Sequence, residues 1–134
     1  MVLVRTIVTL FLGVATWYGP MQNNGDPFTA AYWHSKDCGP SIVDDSFLGM
    51  AVASRDIPFC TKIRLTVVNV PVWARPELNY LIGRSVVATV VDRLADLGGP
   101  VDFDLWPAAF RELAGDLDIG VLYVKAEVLI SEVD

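Results

Sequence analysis

A chain of 134 residues is long enough for one hydrophobic core and too short for two. At 53% hydrophobic and 19% charged residues it carries too much apolar surface to remain disordered. Ten Lys and Arg against sixteen Asp and Glu give a net charge of −6 without a basic run, so nucleic acid is not an expected partner.

The first nineteen residues, MVLVRTIVTLFLGVATWYG, support two readings. Arg5 followed by TIVTLFLGVA imitates a secretory leader, with Val14-Ala15 as a small-residue cleavage point. The β-branched run TIVTLF equally describes a buried strand that leads into ATWYG, and a retained strand is the expectation adopted. Its apolar part, roughly ten residues, is too short to span a membrane. Residues 19–47 hold Asn, Gly, Asp and Pro with no periodicity and form a long loop. Two strand-like runs follow, GMAVAS and IRLTVVNV. A second long connection, NVPVWARPELNYLIGR at residues 69–84, separates them from SVVATVV. Connections of this length inside a compact domain are commonly functional or contact-making. WPAAFRELAG breaks the β pattern: Pro107 suits a first helical turn, Gly115 a helix stop, and Phe110, Leu113 and Ala114 a core-facing stripe. The last run, GVLYVKAEVLI, is again a strand. Short Val/Ile/Thr-rich runs punctuated by turn residues predict one mainly β domain over residues 1–134, a small closed barrel with one short helix.

Cys38 and Cys60 permit one disulfide, worth about 2–4 kcal/mol, or two thiols in a reducing compartment. Their Gly/Pro-marked loop settings favour the bond. Two cysteines and a single histidine, His34, fall short of the four ligands of a structural zinc site, and no metal or other cofactor is expected.

Two acids stand out. Asp92 closes the apolar strand SVVATVV, and Asp104 lies at the far end of the loop that follows. A carboxylate there is costly to desolvate unless it is paired or used. Structural duties are available: Asp92 capping a turn through Arg93 or a backbone N–H, and Asp104 or Asp102 capping the helix. Two carboxylates bracketing one loop also suit acid catalysis, because each raises the other's pKa. Thr16, Trp17 and Tyr18 end the first strand as a polar-aromatic cluster, and Trp33 adds a ring from the long loop. Rings at the rim of an acidic cleft stack on the apolar face of sugars; the alternative is core packing with a partnered hydroxyl. Asp37, Asp44 and Asp45 are further loop acids that could supply a second carboxylate.

Taken in order, ATWYGP, GMAVASRDIPFCTKIRLTV and SVVATVVDRLADLGGPVDFDLWPAAFRELAGDLDIGVLYVKAEVL resemble the six-stranded double-psi β-barrel of expansin-like and rare-lipoprotein-A-like domains, over roughly 100 residues. The resemblance implies a glycan cleft in which Thr16 matches the polar residue. Asp92 would be the acid of the strand-end turn, and Asp104 the acid that donates a proton to a glycosidic oxygen. Trp17 and Tyr18 match the first-strand aromatics. The chain departs from the pattern at Ser54, where transglycosylases of this type carry His. It departs also at Leu94, where some relatives carry an aromatic, and at Cys60, where the pattern has Gly.

The implied function is binding, loosening or cleavage of a cell-wall polysaccharide by an extracellular or wall-facing domain, with hydrolase or lytic transglycosylase activity left open. The alternative is a non-catalytic building block, such as a tail-tip component of a phage virion, that assembles through residues 69–84.

Overall fold

The computed structural model describes residues 2–18, 38, 50–94 and 101–133. Six strands are formed: β1 (Val2–Trp17), β2 (Ala51–Ser54), β3 (Lys62–Asn69), β4 (Ser85–Arg93), β5 (Phe103–Leu105) and β6 (Leu122–Val133). They close in the order β1-β5-β2-β4-β3-β6, a mainly β barrel carrying the helix α1 (Pro107–Ala114). The period-two pattern explains which residues go inside. Ile63, Leu65 and Val67 of β3, Val86, Ala88 and Val90 of β4, and Leu122, Val124 and Ala126 of β6 are all buried. Phe103 and Leu105 of β5 join them, and α1 covers the barrel with Ala109, Phe110, Leu113 and Ala114. Each fully buried Leu, Ile or Phe contributes roughly 1.5–3 kcal/mol.

Two of the six pairings, β1 with β5 and β2 with β4, are parallel, and the others are antiparallel. A pseudo-twofold axis through the Ala53–Asp104 pair exchanges β1 with β4, β2 with β5 and β3 with β6. This is the double-psi arrangement, and it places β2 and β5 side by side with a parallel neighbour on each flank.

Helix α1 begins with Pro107 and stops at Gly115, whose φ of 78° suits a residue without a Cβ. Its N-cap is Trp106, with no side-chain cap, so neither Asp104 nor Asp102 performs the capping duty open to them in sequence. Asp104 lies inside β5 instead. Residues 69–84 are more ordered than a loop reading implies. They contain two 3-10 turns, Val72–Ala74 and Asn79–Leu81, each burying its last residue and exposing its middle one.

Cys38 and Cys60 are joined by a disulfide with their Cα atoms 5.0 Å apart. Cys60 has φ of 70°, the left-handed conformation that glycine adopts without penalty.

Candidate functional site

The register builds a row of four side chains across the outer face of the barrel. Thr16 of β1 pairs with Asp104 of β5, Asp104 with Ala53 of β2, and Ala53 with Asp92 of β4. Paired residues share a face of the pleat, so the two aspartates flank a single buried alanine. Two inter-strand steps separate their backbones by about 9–10 Å.

Asp92 reaches this row through an irregularity. Val52 pairs with Val90 and Ala53 with Asp92, which leaves Val91 as an extra residue in β4. Without it Ala53 would face Val91, and the acid would fall on the next, opposite side of the strand. Bulges of this kind re-aim side chains, and they concentrate near active sites.

Each acid has a defined donor. The Thr16 hydroxyl donates to Asp104 Oδ1 at 2.9 Å. The Tyr18 hydroxyl donates to Asp92 Oδ2 at 3.0 Å, and the Arg93 backbone N–H donates to Asp92 Oδ1 at 2.8 Å. The Arg93 guanidinium turns elsewhere, donating to the Ile57 carbonyl at 2.7 Å and lying 4.2 Å over the Phe59 ring. Tyr18 stands edge-on to Trp106 with 5.6 Å between ring centroids. Ala51, Val91 and Trp106 form a buried cluster beneath it, against which Cys38 also packs. The disulfide is thus tied to the same patch that orients the phenol.

The electrostatics are asymmetric. Burial raises the Asp104 carboxyl to about 6; the Thr16 hydrogen bond opposes this and the charge of Asp92 adds to it. Burial, then the Asp92 charge and the hydrogen bond to it, holds the Tyr18 hydroxyl in its protonated form. Tyr18 therefore remains a donor to Asp92 across the working pH range.

The sequence-predicted residues divide as follows. Thr16, Tyr18, Asp92 and Asp104 come together. Trp17 lies on the opposite face of β1, packed against the core with its Nε1–H donating to the Leu117 carbonyl at 2.9 Å. Trp33, His34, Asp37, Asp44 and Asp45 lie outside the described residues. Ser54 is buried in β2, where its hydroxyl accepts the Ile57 backbone N–H at 3.4 Å. Among the described residues no group of three or more His, Cys, Asp or Glu is placed to hold a metal. Among them, too, no helix is long and apolar enough to cross a membrane.

Two features escaped sequence reasoning: the alanine floor at Ala53, and the origin of Tyr18. The pseudo-twofold maps Thr16 onto Asp92 and Tyr18 onto Leu94. The backbone agrees, since Tyr18 N–H donates to the Leu105 carbonyl as Leu94 N–H does to that of Ser54. Tyr18, just after β1, thus occupies the place that Leu94 holds just after β4. ATWY and the VVDRL turn share no identical residue in this alignment, so no sequence signal links them.

Compared with known proteins, the chain matches no family model and no curated protein. Among solved structures it is similar to Streptomyces papain inhibitor, with a TM-score of 0.54 and 19% identity over 94% of this chain and 99% of that one. At this identity the likeness extends to the barrel fold and no further.

Proposed function

We propose that the row is the acid cleft of a domain that acts on cell-wall polysaccharide outside the cell. One observation carries the reading: a half-buried carboxyl with a raised pKa faces, across one alanine, a second carboxylate held by a permanent donor. A group near 6 is protonated in mildly acidic surroundings and can give its proton to a glycosidic oxygen. Asp92, held by Tyr18 and the Arg93 N–H, is the second carboxyl of the pair, placed to take a proton from the water that attacks the anomeric carbon as the glycosidic bond breaks. Inverting glycosidases space their carboxyls ~6.5–9.5 Å apart and retaining ones ~5–5.5 Å. A pair separated by a whole strand suits the former. The disulfide is consistent with an oxidising compartment.

The test is binding to, and sugar release from, purified peptidoglycan and cellulose, comparing wild type with Asp104→Asn. Fragment release that rises below pH 6 and disappears in the variant supports an enzyme with Asp104 as acid. Binding without release supports an expansin-like loosening domain. Neither binding nor release overturns the reading.

A second reading has its own observation. Val72, Trp73, Tyr80 and Ile82 are exposed on the 69–84 connection, Trp73 and Tyr80 at 68% each. Trp, Tyr and Arg dominate the energetics of protein interfaces, and Arg75 and Arg84 sit on the same segment. A non-catalytic barrel that docks through this patch, as a virion component or as a protein inhibitor, is the alternative. The name of the similar solved structure makes a papain-like protease the first partner to try.

A further inference from the structure

A groove of about 460 Å³ lies on the outer face where β1, β6 and β3 meet the start of residues 69–84. Its position follows from the ladder. Asn69 pairs with Tyr123, and Tyr123 with Val14. Val14 is bound to Asp102 twice, its N–H donating to Asp102 Oδ2 at 2.9 Å and its carbonyl accepting the Asp102 N–H at 2.9 Å. Val14 stands two residues before Thr16 on β1, and Asp102 lies just before β5, two residues ahead of Asp104. Residues two apart share a face and are spaced about 7 Å along the strand. The groove is therefore the next step of the surface that bears the acid row.

Its lining is mixed. Tyr123 is 39% exposed and lines the groove together with Leu12 and Val68. Gly13 admits the Asp102 side chain, which lies 3.0 Å from where a Cβ would stand. The Asp102 carboxylate is engaged by the backbone of β1, whereas Arg75 at the other end is exposed. Its Nε–H donates to the Val70 carbonyl at 3.0 Å, which fixes the plane of the guanidinium at the groove rim. A planar guanidinium held in this way suits a carboxylate in two-point contact. The volume is within the range of small-ligand sites, and an apolar ring with a few oriented polar groups is their usual composition.

We infer that this groove is a second sugar subsite of the acid cleft, that Tyr123 is its stacking platform, and that Arg75 selects a ring bearing a carboxylate. The inference rests on the glycan reading above and deepens it: a carboxylated wall polysaccharide is preferred to a neutral one.

The experiment is calorimetric titration with peptide-free peptidoglycan oligosaccharides, whose alternate rings carry a carboxylate, and with the same oligosaccharides after reduction of those carboxyls to alcohols. Wild type, Tyr123→Ala, Arg75→Gln and Asp104→Ala are compared, with thermal unfolding as a check on the exposed-site variants. Tyr123→Ala should weaken both probes roughly threefold to tenfold, the scale of an aromatic contact. Arg75→Gln should weaken the carboxylated probe about tenfold, as loss of a charge-assisted contact does, and leave the reduced probe unchanged. Equal weakening of both probes by Arg75→Gln overturns the carboxylate assignment. Binding that is lost in Asp104→Ala but unaltered by Tyr123→Ala and Arg75→Gln removes the subsite and leaves the acid cleft standing. Failure of the carboxylated probe to bind wild type overturns the inference, and the glycan reading falls with it only if cellulose also fails to bind.

Discussion

In the proposed chemistry Asp104 is the proton donor, and its environment has a consequence for stability. Its folded pKa of about 6 lies above the ordinary aspartate value of ~3.9, because burial disfavours the charged form more than Thr16 favours it. The raised value means the folded state holds this proton more tightly than the unfolded state does. The stabilisation is fully present below pH ~4 and is lost as pH rises through 6. Wild type should therefore lose melting temperature relative to Asp104→Asn between pH 4 and pH 7. A difference between the two that does not change with pH would contradict the burial account. At this scale the sequence was informative: an acid closing an apolar run, a second acid beyond one loop, and a Thr in ATWY marked three of the four members of the site. Tyr18 was visible as an aromatic. Its role as the donor to Asp92 was not, since that contact joins residues 74 apart across the pseudo-twofold.

Among the elements, the strands with clear period-two or β-branched signatures lie where the sequence places them, and the helix from Pro107 buries the predicted Phe110, Leu113 and Ala114. β5 has three residues, too few to show any period, and it reads from sequence as the approach to the helix. Its strand character comes from pairing with β1 and β2 on its two sides. The Val91 bulge is equally silent, because SVVATVV is apolar at nearly every position and offers no contrast between faces. The turn at Cys60 is the element whose energetics are open to direct measurement. Cys60→Ser removes the disulfide and keeps a side chain at φ of 70°, so it should cost about 2–4 kcal/mol in denaturant unfolding. Cys60→Gly removes the same bond but relieves the left-handed backbone, and it should recover about 1 kcal/mol of that loss. Equal stability of the two variants would show that the turn stores no such strain.

For the molecule as a whole, the double-psi closure explains why the site is where it is. The two halves of the barrel meet at β2 and β5, the exchange axis passes through Ala53 and Asp104, and each half brings one strand end to the row: Thr16 and Tyr18 from one, Asp92 from the other. The groove beside Tyr123 continues that surface between strands of both halves and takes Asn69 and Arg75 from the 69–84 connection, on which Trp73 and Tyr80 are also exposed. The molecule thus has two competing faces for a partner, one acidic and stepped, the other apolar. The measurement that separates them most directly is a backbone amide NMR titration of the isotopically labelled protein with peptide-free peptidoglycan oligosaccharides. The glycan account predicts shifts confined to Thr16, Ala53, Asp92, Asp104 and the Tyr123 groove. Shifts confined to Val72, Trp73, Tyr80 and Ile82, or none at saturating sugar, would contradict it.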